Sequence, residues 1–243
     1  MVVHFSIRAR ALTKLHRMSK MVNIYNLEQR LQSCVDNGQI TGLALAIVHG
    51  TEITYARGFG LTSVEDGGLP VTPQTLFCIG SISKTLTSAL IMHLVEQGKL
   101  DLNASVMSYL PGFRFSDPEA GQRITLRHIL SHTTGLPPAG KNFGPRDADA
   151  LKRFVWEEIP RYGFIAPPGK VHLYSSTVFV LAGYLAEVVT GKYFDTLMQE
   201  MIFAPPTRYR VEYPVEMQSP LRIPQGEWST ERLEGLPSER AAC

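Results

Sequence analysis

The sequence predicts a mixed α/β fold with one antiparallel hairpin near its N-terminus and helices through most of the remaining chain. Three observations support this prediction: two neighbouring apolar runs separated by a turn, a strongly apolar helical pattern after Ser81, and further helical stretches that end at glycine. The 243 residues, 44% of them hydrophobic and 19% charged, are enough for one substantial core or two modest lobes.

The first predicted elements are a helix and the hairpin. Apolar residues recur at helical spacing from Leu27 to Asn37, and Gly38 follows as a stop signal. Residues 42–48 form an apolar run typical of a buried strand, and residues 53–60 alternate in polarity. Because only a short turn joins these two runs, we expect them to pair as an antiparallel hairpin.

The later part of the chain is predicted to be mainly helical. Apolar residues continue at helical spacing from Ser81 to Gly98, which indicates a central buried helix that begins after an apolar strand. Thr125 is the expected cap of a short helix over residues 125–132. The remaining predicted elements are a polar loop region to about Asp149 and helices over residues 178–189 and 194–203.

A serine and a lysine stand three residues apart, as Ser81-Ile82-Ser83-Lys84, at the start of the central helix. This spacing places both side chains on one helix face, where the amine can reach the hydroxyl and activate it as a nucleophile. The free N–H groups of the first turn also favour negative charge there. An N-cap serine followed by a solvated lysine fits the same pattern, and both interpretations stay open on these residues alone.

A tyrosine further along the chain is a second candidate for chemistry. The turn Pro167-Pro168-Gly169 precedes Tyr174, which lies just before a predicted helix. A rigid turn in this place can project the phenol into a cleft, although a half-buried core tyrosine fits the pattern as well.

Three motifs follow one another in a characteristic order: residues 81–84, residues 124–137 with their Leu-Ser-His-Thr-Thr-Gly-Leu-Pro run, and residues 168–176. This order closely resembles the serine β-lactamase and penicillin-binding-protein superfamily, in its branch of class C-like β-lactamases and esterases. The resemblance covers about residues 27–205. It implies a β-lactamase/transpeptidase-like α/β fold, with an antiparallel sheet flanked by helices and a mostly helical lobe that carries Tyr174.

The resemblance also implies a role for each motif residue. Ser81 matches the acyl-accepting nucleophile, Lys84 the lysine that helps to activate it, and Tyr174 a tyrosine that shares the acid and base steps. The backbone N–H of Ser81 matches half of an oxyanion hole. Ser176 stands where the family usually has asparagine, so we expect it to bind substrate through one hydroxyl instead of an amide. The histidines of residues 128–137 resemble structural residues.

The predicted function is that of a β-lactamase-related serine hydrolase, which acts through a covalent acyl-serine on a small ester, amide or lactam. Two alternatives stay open: an acyltransferase of secondary metabolism with the same site, and a truncated homologue without catalytic activity. No cofactor or metal is expected, because nucleophile, base and oxyanion donors all come from protein. The seven histidines form no cluster with metal-binding spacing.

Charge, composition and the extent of the resemblance divide the chain into three segments. Residues 1–26 form a basic leader that we expect to be disordered, and residues 27–204 form a β-lactamase-related domain. Residues 205–243 are rich in proline without a sustained period, and we expect this tail to be poorly ordered. It lacks the Lys-Thr-Gly or His-x-Gly strand of the family, so we expect an incomplete domain from a truncated or frameshifted reading frame.

Charge and cysteine content bear on partners and compartment. The net charge of +2 is too small to imply nucleic acid as a partner, so the expected partner is a small-molecule acyl substrate. No apolar run is long enough to cross a bilayer. The three scattered cysteines, Cys34, Cys78 and Cys243, fit a reducing compartment, and we expect a cytoplasmic protein. The basic leader offers a mitochondrial presequence as the alternative.

Overall fold

The computed structural model describes residues 23–50, 52–64, 67–138 and 147–203, which contain one antiparallel hairpin and a mainly helical body. The strands are β1 (Gly42–His49) and β2 (Glu52–Gly60). The α-helices are α1 (Ile24–Asp36), α2 (Ile82–Glu96), α3 (Pro118–Gln122), α4 (Leu126–Leu130), α5 (Ala150–Arg153), α6 (Thr177–Thr190) and α7 (Phe194–Leu197). Short 3₁₀ turns cover Val106–Tyr109 and Ile159–Arg161, and π-helical turns cover Phe154–Glu158 and Met198–Phe203.

Helix α1 begins earlier than its apolar pattern predicts. The side chain of Asn23 accepts a hydrogen bond of 3.0 Å from the backbone N–H of Asn26, which caps the helix before Ile24. Residues 24–26, assigned from the sequence to a disordered leader, are therefore helical. Leader residues 1–22 lie outside the described residues.

The predicted hairpin is confirmed, and a polar cluster attaches α1 to it. Strands β1 and β2 pair antiparallel from Gly42 opposite Gly60. The Tyr55 hydroxyl of β2 donates to Glu28 of α1 at 2.7 Å, and the Arg57 guanidinium pairs with the same carboxylate at 2.8 Å. These two hydrogen bonds lower the pKa of Glu28, whereas burial raises the pKa of Tyr55 to about 12.

The hydrophobic core lies among the helices that follow the hairpin. Leu90, Ile91 and Leu94 of α2 are fully buried, as are Leu181 and Leu185 of α6. Each such side chain contributes about 1.5–3 kcal/mol by leaving water. Helices α2 and α6 pack against each other in this core, and both were predicted from the sequence.

The segment before Ser81 is not the strand that its apolar residues predicted. Residues 72–77 have turn or irregular backbone, and Cys78 makes only an isolated bridge. Local turns stand on both sides of Cys78: the Thr75 N–H donates to the Thr72 carbonyl oxygen, and the N–H groups of Ile82 and Ser83 donate to the carbonyl oxygens of Ile79 and Gly80. Backbone groups engaged in these turns are not available for a sheet.

The second half of the body is more helical than predicted. Helix α5 and the two turns after it cover residues 150–161, for which no helix was expected. The predicted helix over residues 194–203 is divided into α7 and a π-helical turn. None of the helices within the described ranges combines the length and apolar character that a membrane crossing requires. The predicted tail, residues 205–243, lies outside these ranges.

Candidate active site

Ser81 stands at the N-terminus of α2, on a tight turn. Gly80 has a φ of +50°, and the N–H groups of Ile82 and Ser83 donate to the carbonyl oxygens of Ile79 and Gly80 at 3.1 Å. Ser81 is the N-cap residue, but its hydroxyl makes no capping hydrogen bond. The structure therefore does not support the interpretation of Ser81 as a simple capping serine.

The Ser81 hydroxyl instead meets the two polar groups that the motifs predicted. Lys84 Nζ lies 3.2 Å from Ser81 Oγ, one helical turn along α2. Tyr174 Oη lies 2.5 Å from the same oxygen, although 93 residues separate the two in the sequence. Tyr174 is 49% exposed, so the oxygens at the centre of this cluster are accessible to a substrate.

Aromatic rings flank the Lys84 side chain. Its Nζ lies 4.9 Å from the ring centroid of Tyr174 and 5.9 Å from that of Phe179, which belongs to the first turn of α6. A cation at such distances is attracted by the ring faces, which limits the positions of the amine. Phe179 was not predicted as a site residue, and its sequence position five residues after Tyr174 is the only signal for it.

The neighbouring polar groups change the ionisation of Tyr174. Hydrogen bonds with Lys84 and with Ser81 lower the pKa of its phenol, against a smaller opposing effect of burial. The Tyr174 hydroxyl also lies 2.5 Å from Ser81 Oγ. Tyr174 is thus placed to accept a proton from the Ser81 hydroxyl.

The segment before α6 is held by hydrogen bonds to the loop after α4. The Gly169 N–H donates to the Thr133 carbonyl oxygen at 2.7 Å, and the Ile165 N–H donates to the Gly135 carbonyl oxygen at 2.8 Å. Gly135 has a φ of +77°, and a Cβ added to it would lie 1.9 Å from the Ala166 carbonyl oxygen. This close approach explains why glycine occupies the position.

The two histidines of this region have different environments. The Nδ1 atom of the His128 ring accepts a hydrogen bond of 3.2 Å from the backbone N–H of Thr125, and the Thr125 hydroxyl accepts one from the backbone N–H of His128. This capping box starts α4 and is a structural role, as expected. The His132 ring instead packs against Tyr174, with 4.6 Å between ring centroids, a contact with the site that the sequence did not predict.

Ser176, the predicted substrate-binding residue, is the N-cap residue of α6. It is exposed, and its side chain makes no capping hydrogen bond. Its hydroxyl is therefore available for another contact, two residues after Tyr174. The structure does not bring it into hydrogen bonding with Ser81 or Lys84, so its role stays a prediction.

The backbone N–H of Ser81 donates to no carbonyl in the described part of the chain. It projects from the helix N-terminus, where an oxyanion would be stabilised. The residues that the structure describes contain no group of three His, Cys, Asp or Glu side chains that could hold a metal ion. The arrangement can thus supply a nucleophile, a proton acceptor and one oxyanion donor from protein groups.

Comparison with known proteins identifies the family. The sequence model of the β-lactamase family matches residues 27–234, most of the chain. The chain belongs to the β-lactamase family. The predicted membership of the serine β-lactamase and penicillin-binding-protein superfamily is therefore confirmed, and so is the predicted fold type. The match also continues past residue 204, into the segment predicted as an atypical tail.

Relatives of this β-lactamase family member include enzymes of several names. Penicillin-binding protein 4 of Amycolatopsis lactamdurans is 36% identical over 179 residues, which are 73% of this chain and 46% of that protein. The teichoic acid D-alanine hydrolase of Staphylococcus aureus is 30% identical over 182 residues, 72% of this chain and 42% of that protein. The D-amino acid amidase of Ochrobactrum anthropi SV3 has a similar structure, with a TM-score of 0.64 and 25% identity over 76% of this chain and 49% of that one. The chain spans less than half the length of each of these relatives.

Proposed function

We propose that this member of the β-lactamase family is a serine hydrolase that forms a covalent acyl-enzyme on Ser81. One observation carries the proposal: Ser81 Oγ lies within hydrogen-bonding distance of both Tyr174 Oη, at 2.5 Å, and Lys84 Nζ, at 3.2 Å. A serine hydroxyl needs a neighbouring base to attack a carbonyl carbon, and in this proposal the base is Tyr174. The hydrolase names of the relatives support the same reaction class.

In the proposed acylation, Ser81 Oγ attacks the carbonyl carbon while its proton passes to the Tyr174 oxygen. The Lys84 ammonium stabilises the phenolate that precedes this transfer, and the Ser81 N–H stabilises the oxyanion of the tetrahedral intermediate. The intermediate then collapses, the bond to the leaving oxygen or nitrogen breaks, and that atom takes the proton from Tyr174. Water attacks the acyl-serine in the same way, which releases the acid and restores the hydroxyl.

Covalent labelling tests the nucleophile. The purified full chain is incubated with a fluorescent penicillin or with a fluorophosphonate, and the adduct is mapped by mass spectrometry. We expect the label on Ser81 and none after Ser81→Ala. Ser83→Ala is the matched control, because Ser83 belongs to the same turn but its hydroxyl donates to the Gly80 carbonyl oxygen at 2.7 Å. A label on another residue, or none on the folded chain, would contradict the proposal and favour a non-catalytic homologue.

For the substrate, we propose a small ester, amide or lactam, and D-aminoacyl compounds are the first to test. The names of two relatives refer to D-alanine and to D-amino acid groups. Hydrolysis of a D-alanyl ester and a D-amino acid amide is measured against their L-enantiomers and against a chromogenic β-lactam. An added alcohol or amine acceptor identifies the acyltransferase alternative, since a transferase yields a new ester or amide instead of the free acid.

A further inference from the structure

His132 has an unusual backbone conformation next to the proposed site. Its φ of 56° makes it the one non-glycine residue with positive φ among those described. Side chains rarely adopt this conformation, and it persists where the surrounding contacts determine it strongly. His132 follows α4 by two residues, so a continued helix was the simpler local outcome. The contacts of His132 explain the exception.

His132 contacts three consecutive residues around the proposed acid and base. Its carbonyl oxygen accepts a hydrogen bond of 2.8 Å from the Leu173 N–H, and its Nδ1 accepts one of 3.2 Å from the Ser175 N–H. Between these two, its ring packs on the Tyr174 ring, with 4.6 Å between centroids and an angle of 38° between planes. One residue thus fixes the backbone on both sides of Tyr174 as well as the side chain itself.

The hydrogen bond to Nδ1 matters because Ser175 is buried. Ser175 is 1% exposed, so its N–H would lose water and gain no partner if Nδ1 could not accept. An accepting Nδ1 carries no proton, which assigns the proton of the neutral ring to Nε2. Burial, His172 and Lys84 each lower the pKa of His132 and favour this neutral form.

We propose that His132 is a positioning residue that holds Tyr174 Oη against Ser81 Oγ. The proposal rests on the proposed function for its catalytic meaning. His132 makes no hydrogen bond with Ser81 or Lys84, and therefore it acts through Tyr174. The family signature around it resembles a structural motif, and the contacts give that motif a specific task.

Two variants that both tolerate positive φ test the proposal. His132→Gly removes the ring and the acceptor without backbone strain, and His132→Asn restores only an acceptor at the δ position. We expect His132→Gly to lower the rate of Ser81 acylation about 100-fold, the effect of a misplacement near 1 Å. The rate of Ser81 acylation in His132→Asn should be at least about tenfold higher than in His132→Gly. His93→Asn, an exposed change on α2, is the control and should keep the wild-type rate.

A measurement without substrate separates this proposal from the proposed function. Titration of ¹³C-labelled tyrosine, assigned with Tyr174→Phe, should show that the Tyr174 pKa rises toward its ordinary value of about 10 in His132→Gly and stays lower in His132→Asn. If the two variants had the same Tyr174 pKa and the same rate of Ser81 acylation, the positioning role would be overturned. The predicted titrations together with an unreactive wild-type Ser81 would overturn the hydrolase function alone.

The wild-type protein gives a further test if His132→Gly does not fold. The ¹⁵N resonances of the His132 ring should show an unprotonated Nδ1 and a protonated Nε2 at neutral pH. A proton on Nδ1 would contradict the hydrogen bond from Ser175 and overturn the proposal.

Discussion

Replacing Gly135 with alanine changes the contact that attaches the loop after α4 to residues 165–169. Two separate costs follow from the structure. An alanine at a φ of +77° is strained by about 1–2 kcal/mol. Its Cβ would also lie 1.9 Å from the Ala166 carbonyl oxygen, far below an ordinary contact of 3.4 Å, so backbone must move at a further cost of about 1–3 kcal/mol. We expect Gly135→Ala to lower the free energy of unfolding by about 2–5 kcal/mol in total.

Two other glycines separate these costs. Gly112 has a φ of +86° and nothing within 4 Å of a Cβ, so Gly112→Ala should cost only the strain of about 1–2 kcal/mol. Gly163 has neither feature, and its alanine variant should be neutral or more stable by up to about 1 kcal/mol. The assay is urea unfolding followed by circular dichroism. The slope of the unfolding free energy against urea concentration should be the same in all variants. A Gly135→Ala variant no less stable than Gly112→Ala would refute the close approach.

Three further predictions concern the site, the hairpin and the core. Tyr174→Phe retains the ring but removes the oxygen 2.5 Å from Ser81 Oγ, so labelling of Ser81 should slow at least about 100-fold at an unchanged urea midpoint; a retained rate would exclude the acid and base role. Glu28→Gln removes the partner of Arg57 and should lower stability at pH 7. Because the pKa of Glu28 is lowered in the folded state, its contribution to the free energy of unfolding is present above pH 4.5 and is lost as pH falls through the folded-state pKa. A difference between the urea midpoints of variant and wild type that is the same at all pH values would contradict this. Leu185→Ala should cost about 2–5 kcal/mol in the same urea assay, and a cost below about 1 kcal/mol would indicate a looser core.

The local half of the site could be predicted from spacing, whereas the distant half could not. Ser81 and Lys84 belong to one helical turn, so helix geometry alone brings their side chains together. No spacing rule relates Ser81 to Tyr174, and only the order of the motifs joined them. The contacts of His132 with the site were not predicted, because they depend on a positive φ and on tertiary hydrogen bonds, which residue types indicate only weakly.

The helical residues 150–161 show a different kind of miss. Apolar residues recur there at helical spacing, so the signal was present in the sequence: Leu151, Phe154, Val155 and Ile159. Neighbouring polar residues and Pro160 concealed it. The division of residues 194–203 into an α-helix and a π-helical turn has no such signal, because both have similar apolar patterns and packing decides between them.

The separation of 93 residues between Ser81 and Tyr174 has a consequence for folding. Ser81 and Lys84 meet as soon as α2 forms, but Tyr174 joins them only after a long loop has closed and its entropy cost has been met. A folding chain therefore brings Tyr174 to Ser81 and Lys84 late, when α2 and α6 pack against each other. Ser81 of a nascent or partly folded chain lacks the Tyr174 hydroxyl, and a covalent probe of Ser81 should label native molecules only.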